Sequence, residues 1–392
     1  MKFRATLNRL APGKKAGKAR AGEFRFRRSA PLVLYWLGGE LVFENYAVRT
    51  RIGASPLACS ILHFCNGWKS SREIASFLNE YDPSSVFKSL NQLCENGVLE
   101  RSDKKRDPRL KAMESWETWN PAAGFFHFST KDTEFAPDQR DAVEELKRRA
   151  RHDPMPLPLK AYPKANRTKL PRLPAGGEFP QLLRNRRTWR KFGRDAVPLE
   201  SLAQTLELTF GIQGWVYLPG LGRAAMKTSP SGGDLHPIEA YVLAQRVRGL
   251  KPGLYHYSAG QHELEWLRHG VDRKPLVRSL GHQPWFAHGA FLVLMTAVFG
   301  RTQWKYDFAR AYRVILAEAG HLCQTFCLTA TWLGLAPFCT MAQTDTQWEE
   351  WLGIDGASES ILYIAGAGTR PANSRNAHLG MLRTDTAPIP QK

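Results

Sequence analysis

The 392-residue chain lacks an apolar run long enough to cross a bilayer; its longest, Ala290–Phe299, is about half of what a membrane helix needs. It also lacks the apolar core of a secretory signal near its start, so the reading is a cytoplasmic protein with no membrane partner. Cysteine is sparse. Six are present (Cys59, Cys65, Cys94, Cys323, Cys327, Cys339), none in a CxxC pair, which speaks against a disulfide scaffold and against a structural zinc site. His236, His256, His262, His282, His288 and His321 have no metal-ligand spacing, so no metal is expected. The GxSxG, P-loop and GxGxxG fingerprints are missing, which disfavours hydrolases, NTPases and Rossmann dehydrogenases.

Acidic residues are scarce only locally. The net charge of +19 comes from residues 1–28, with ten Lys or Arg against Glu23 alone, and from residues 140–194, with sixteen bases against five acids. The remainder is close to neutral, so the composition does not define a nucleic-acid binder. At 43 % apolar and 23 % charged residues the chain is globular, with room for two or three domains.

Residues 1–28 read as a basic flexible tail. Residues 29–102 read as a compact unit: strands at Leu32–Trp36 and Leu41–Phe43 flank Gly38-Gly39-Glu40, and three helical patterns follow before a strand at Val98–Glu100. Ser70-Ser71-Arg72-Glu73 is a capping signature, and Asn96-Gly97 stops the third helix. That order is winged-helix-like. The third helix, Ser84–Glu95, carries Lys88 as its one base, too little for phosphate contacts, so a peptide-holding or docking role is favoured over DNA. Residues 103–180 read as an aromatic and Pro-rich wrapping connector, with an exposed helix at Asp138–Arg151 and seven prolines from Pro154 to Pro180. Residues 181–375 hold the large α+β core, with a helix at Leu199–Phe210, buried strands at Ile238–Ala244, Phe291–Phe299 and Ile361–Ala365, and a long helix, Ala311–Leu333, apolar nearly all round. Residues 376–392 read as a tail.

Three constellations in this last domain can carry chemistry. Arg186-Arg187-Thr188-Trp189-Arg190 suits a phosphate, because guanidinium makes bidentate charge-assisted bonds; a solvated basic loop is the plain alternative. Ser229-Pro230-Ser231-Gly232-Gly233 lets main-chain N–H groups come close to a planar polar ring, or is simply a structural turn. Lys305-Tyr306 precedes the long helix and can exchange protons where burial or neighbouring charge permits, or is an ordinary surface pair.

Their succession, continued by Gly249–Tyr257, Ala311-Tyr312-Arg313, Glu318-Ala319-Gly320-His321 and Gly334-Leu335-Ala336-Pro337, resembles the SagB-type dehydrogenases, a branch of the nitroreductase-like FMN flavoproteins. The stretch Phe126–Asp132 and the unit before it are similar to the N-terminal region that some members carry. The resemblance implies a nitroreductase-like α+β fold, a central mixed sheet with flanking helices, and a homodimer with FMN at its interface. Arg186, Arg187, Thr188 and Arg190 would hold the phosphate and the pyrimidine edge; Ser229, Pro230, Ser231 and Gly232 would reach the ring from the partner chain. Cys339, Thr340 and Met341 would pass near N5, and Arg370 would add a phosphate contact. Cys339 departs from a usual proline and Met341 from a usual small residue, which reshapes that wall.

Lys305 and Tyr306 match the proposed base of azoline oxidases. The implied reaction is oxidation of a thiazoline or oxazoline in a ribosomally made peptide to the azole, with FMN taking hydride and dioxygen as final acceptor. The implied partners are the peptide's leader on the N-terminal unit and a cyclodehydratase. An NAD(P)H-dependent nitro- or quinone reductase shares the fold, and a winged-helix nucleic-acid binder or scaffold with an inactive flavin fold is the non-enzyme alternative.

Overall fold

The computed structural model describes residues 24–372 apart from 157, 159, 161–163 and 172–175. Most of the basic N-terminal segment, the 376–392 tail and parts of the proline-rich stretch lie outside the described residues. The chain divides between Glu114 and Ser115 into two compact units.

The first unit contains β1 (Arg25–Arg28), β2 (Leu32–Leu37), β3 (Glu40–Asn45), β4 (Thr50–Gly53), α1 (Pro56–Phe64), β5 (Lys69–Ser70), α2 (Ser71–Phe77), α3 (Pro83–Glu95), β6 (Leu99–Arg101) and α4 (Pro108–Ala112). The strands form two antiparallel sheets, ordered β5-β1-β6 and β2-β3-β4. Local chemistry sets the helix starts. Ser55 and Asp82 each cap a helix that opens on proline, and Ser70 with Glu73 closes a full capping box. The end of α3 is held by Ser29 Oγ and Asn45 Nδ2, both donating to the Gly97 carbonyl at 2.6 Å.

Residues 25–28 correct the expectation of a flexible tail up to Arg28. Phe26 is fully buried among Ile61, Cys65, Ile74 and Val98, so this strand is the centre of its sheet despite three arginines. Alternation turns Arg25 and Arg27 away from the face that Phe26 buries, Arg27 reaching Glu100 and the Trp68 ring, while Arg28, at the exposed end of the strand, donates to the Leu62 carbonyl.

The second unit contains α5 (Ala122–Ser129), α6 (Gln139–Ala150), α7 (Glu178–Asn185), α8 (Leu199–Phe210), β7 (Gly214–Leu218), β8 (Gly222–Met226), β9 (Ile238–Ala244), β10 (Gly253–Ser258), β11 (Glu263–His269), α9 (Arg273–Ser279), β12 (Phe291–Val298), α10 (Phe299–Lys305), α11 (Ala311–Trp332), β13 (Ala336–Thr340), α12 (Asp345–Leu352) and β14 (Glu359–Gly368). Six strands form one sheet, ordered β11-β10-β9-β12-β14-β13. Its ladders run antiparallel, and an isolated parallel bridge, Val197–Val247, stands outside the strands named here. β12 is buried throughout its first seven residues, as a strand covered on both faces must be. Phe291 meets Phe326 of α11 on one face, while Leu292 and Leu294 pack with Leu276, Leu280 and Trp348 of α9 and α12 on the other.

Residues 115–135 belong to this core and are not a connector wrapped over it. Trp116 and Trp119 are fully buried and cross edge to face at 5.6 Å, beside Phe299 and Tyr312. His127 bridges Tyr312 Oη (2.9 Å) and the Gly356 carbonyl (3.1 Å), and burial pulls its pKa down to about 3, so it is neutral. Lys131 donates to both oxygens of Glu349 (2.7 and 2.5 Å) with both side chains buried, and Asp132 accepts the Thr346 amide at the start of α12 (2.9 Å). The Phe126–Asp132 motif therefore fastens α5 to α11 and α12. Its polar residues are read from the sequence as a resemblance only; their work is to satisfy groups that burial leaves no water to satisfy.

No helix among the described residues is long and apolar enough to cross a membrane. Toward the β11 edge of the sheet, His256 lies between Glu239 (3.3 Å) and Glu265 (2.7 Å), and the hydrogen bond to Glu239 leads in raising its pKa to about 8. A raised folded-state value stabilises the fold fully below the ordinary imidazole range and loses that contribution as pH rises through about 8. Stability is therefore expected to fall by about 2 kcal/mol between pH 6 and pH 9 from this group, and His256→Gln should remove that slope in denaturant melts.

Candidate functional site

α11 organises the site. The expectation that the long helix is apolar nearly all round is corrected: Arg313, Ala317, Gly320, His321, Gln324 and Trp332 form an exposed stripe. The serine turn lies along one face beside that stripe. A Cβ on Gly232 would sit 2.3 Å from Val314 Cγ1, so only glycine lets the turn come this close. Ser231 Oγ donates to Glu318 Oε2 (2.7 Å) and accepts the His236 amide (2.9 Å); Ser229 Oγ pairs with Thr325 Oγ1 (2.8 Å). Both hydroxyls thus hold the turn together, and what it offers a ligand is main chain. Pro230 is exposed between them. Glu318, part of the Glu318-Ala319-Gly320-His321 motif, is the residue that fastens the turn to the helix. Burial leads in pushing its carboxyl up, and it anchors Ser231.

Lys305 and Tyr306 converge on the same turn. A Cβ on Gly233 would lie 2.7 Å from both Lys305 Nζ and Tyr306 Oη, and Nζ donates to the Gly233 carbonyl at 3.3 Å. Gly233 has φ +72°, which glycine adopts without strain. The pair ends α10, where the Tyr306 amide donates to the Thr302 carbonyl (3.0 Å) and the Tyr306 carbonyl accepts Trp119 Nε1–H (2.8 Å). Lys305 is exposed and Tyr306 half-buried in the single chain.

The arginine cluster gathers elsewhere, with β13. The Trp189 amide donates to the Pro337 carbonyl (2.9 Å), and Arg370 lies over the Trp189 ring at 5.6 Å. Arg370 also donates to the carbonyls of Leu335 and Thr331, both at 3.0 Å, closing the C-terminal end of α11. Arg187 turns back to the carbonyls of Arg184 and Arg186, closing α7. Arg186 and Arg190 have no carboxylate partner among the described residues, and Thr188 lies half-buried between them. Arg186 is close enough for its charge to act on Cys327 and Cys339. Thr340 Oγ1 accepts the Ala342 amide (3.0 Å), while Met341, 60 % exposed, projects from this wall.

The predicted residues thus fall into two groups on one helix. At about 100° of rotation per residue, positions 314, 318 and 325 share a face, whereas Cys323 and Cys327 lie about 160–200° from position 325. The serine turn with Lys305 and Tyr306 lies toward the first face; Cys339 and Arg186 lie toward the other.

A six-stranded antiparallel sheet with helices on both faces makes this an α+β domain, and the arginine motif lies beside its β13 edge. Residues 183–369 match the nitroreductase family model, and this part of the chain is a nitroreductase-family domain. Among its relatives, the trifolitoxin-processing protein TfxB of Rhizobium leguminosarum bv. trifolii is 26 % identical over 302 residues, covering 73 % of this chain and 80 % of that one. The microcin B17-processing protein McbC of Escherichia coli is 29 % identical over 141 residues, 34 % of this chain and 51 % of that one. Among solved structures, the E. coli microcin synthetase McbBCD complex with truncated pro-MccB17 bound aligns at 19 % identity and TM-score 0.47, over 68 % of this chain and 95 % of the matched one. The two peptide-processing relatives agree with the resemblance to SagB-type dehydrogenases.

Proposed function

We propose that the protein is an FMN-dependent oxidase that converts thiazoline or oxazoline rings of a ribosomally made peptide to azoles. The observation that carries this reading is the convergence of Lys305 Nζ and Tyr306 Oη on the glycine of the serine turn, which puts a proton-accepting pair beside a close-approach main-chain surface. Relatives whose names describe the processing of trifolitoxin and microcin B17 support a peptide substrate.

The donor set suits FMN. Arg186 and Arg190 present positive charge without an internal carboxylate, as a phosphate requires, and the Gly232-Gly233 main chain leaves room that a side chain would close. When bound, FMN supplies hydride acceptance from the ring carbon, with dioxygen as the final electron acceptor. Lys305 Nζ removes the proton from the neighbouring ring carbon, and Tyr306 Oη holds the pair in register. Trp119 fixes the Tyr306 main chain from behind. Because the two groups lie on different faces of α11, two copies of the chain complete the site, the serine turn of one serving the arginine cluster of the other across the exposed stripe.

The first unit holds the peptide leader in this reading. A cleft of about 770 Å³ beside β6 offers the place for it, its lining mixing the bases Arg27, Lys104 and Lys105 with the acids Glu95, Glu100 and Asp107 around Trp68. A cyclodehydratase supplies the azoline.

The purified protein is expected to be a yellow homodimer with one FMN per chain. Arg186→Ala with Arg190→Ala should release the flavin while far-ultraviolet dichroism stays that of the parent. Full flavin occupancy in the double variant would refute the arginine assignment, and a flavin-bearing monomer would refute the shared site.

A further inference from the structure

The geometry points to a three-thiolate site for a thiophilic divalent cation, with zinc the ordinary occupant, formed by Cys323, Cys327 and Cys339. The three sulfur atoms lie within 4.8 Å of one another. Cys323 and Cys327 are one turn apart on α11 and therefore point the same way, and Cys339 comes from β13, the strand packed beside that helix. Zinc–sulfur bonds of about 2.3 Å place the sulfurs of a zinc site about 3.8–4.0 Å apart, so closure needs a movement of about 1 Å or less. Side-chain rotation of three cysteines covers that distance without moving the helix or the strand.

The surroundings favour a cation over plain packing. Cys323 and Cys327 are 3 % and 4 % exposed, so water does not compete there, while Cys339 is half-buried and leaves the fourth position an opening. Tyr363 Oη donates to Cys339 Sγ at 3.6 Å, the outer hydrogen bond that orients a metal-bound thiolate. A divalent ion on three thiolates leaves one net negative charge, and the Arg186 guanidinium acts on Cys327 and Cys339 with the opposite sign. Sulfur-only donors select zinc or cadmium over magnesium or calcium. A disulfide is the poorer use of the helical pair, because Cβ atoms one turn apart stand about 5–6 Å from each other, beyond the usual span of a disulfide. The sequence hides the site because two ligands are spaced CxxxC on a helix and the third follows only after the intervening turn. This inference does not rest on the proposed oxidation.

The test uses the full reduced chain as purified, stripped with a chelator and dialysed against zinc, with bound metal counted by atomic emission. One equivalent is expected to survive competition with a chromophoric chelator. Cys339→Ser, at the least buried ligand, should lose more than the roughly 10–100-fold in affinity that removal of an outer partner costs, and Tyr363→Phe should lose about that range. Cys59→Ser with Cys94→Ser, in the other unit, should bind as the parent does. Zinc should raise the melting midpoint of the parent but not of Cys339→Ser. Absence of a bound equivalent in the parent, or parent-like affinity in Cys339→Ser, would overturn the site, and so would a thiol count showing two of the three sulfurs oxidised. If Cys323→Ser or Cys327→Ser fails to fold, the parent and Cys339→Ser still decide the matter.

Discussion

Lys305→Ala is expected to stay yellow and dimeric and yet to oxidise an azoline peptide about 10²–10⁴-fold more slowly. That is the range that loss of a general base costs. The expectation follows from position. Nζ reaches the Gly233 carbonyl at 3.3 Å and lies away from the arginine cluster, so its removal touches proton transfer and leaves the anion-holding residues alone. Lys305→Arg should not restore the rate, because a guanidinium stays protonated and cannot accept the ring proton. Single-turnover bleaching of the flavin by an azoline peptide, followed in stopped flow, separates this step from reoxidation. If both variants bleach at the parent rate, the pair is structural and the base is another group.

Lys131→Met is expected to cost about 3–5 kcal/mol of stability, the largest effect foreseen for a residue outside the site. Lys131 and Glu349 are 7 % and 6 % exposed, and the carboxylate also accepts Ser360 Oγ–H. Removing the ammonium leaves a buried carboxylate with its desolvation uncompensated, and burial already leads in pushing the Glu349 carboxyl up. Lys131→Met with Glu349→Leu should recover most of the loss, since an apolar pair of similar volume carries no charge into the core. Urea melts with an unchanged slope would measure it. A loss below about 1 kcal/mol in the single variant would mean that water reaches the pair.

These two cases mark what the sequence made legible. Local signals are legible there: the Ser70–Glu73 box, the stop at Asn96-Gly97, the helix at Leu199–Phe210 and the strand at Ile238–Ala244 all depend on residues within one turn or one strand. What the chain does at a distance was not legible. β1 was hidden because three of its four residues are arginine and the one that matters, Phe26, finds its partners in α1, α2 and the Val98 region. The exposed stripe of α11 was hidden because small residues such as Ala317 and Gly320 read as apolar whether or not anything covers them. Glu318 reads as an ordinary helix residue until Ser231, 87 positions earlier, is laid against it. The separation of the arginine and serine motifs onto two faces of one helix is likewise a tertiary fact, invisible in their order along the chain.

The aromatic nest around Trp116 and Trp119 gives the protein an optical signature of its own. Two indoles crossed at 89° with centroids 5.6 Å apart couple their electronic transitions, and the neutral His127 ring stacks against one of them at 5.2 Å. Near-ultraviolet circular dichroism therefore carries a contribution from this nest, alongside that of the Trp348–Trp351 pair, whose rings also cross edge to face at 4.9 Å. Since Trp119 Nε1 is bonded to the Tyr306 main chain, the same band registers strain on the segment that carries the lysine and tyrosine. The segment that carries Lys305 and Tyr306 thus has a spectroscopic reporter built into its scaffold, one that needs no label.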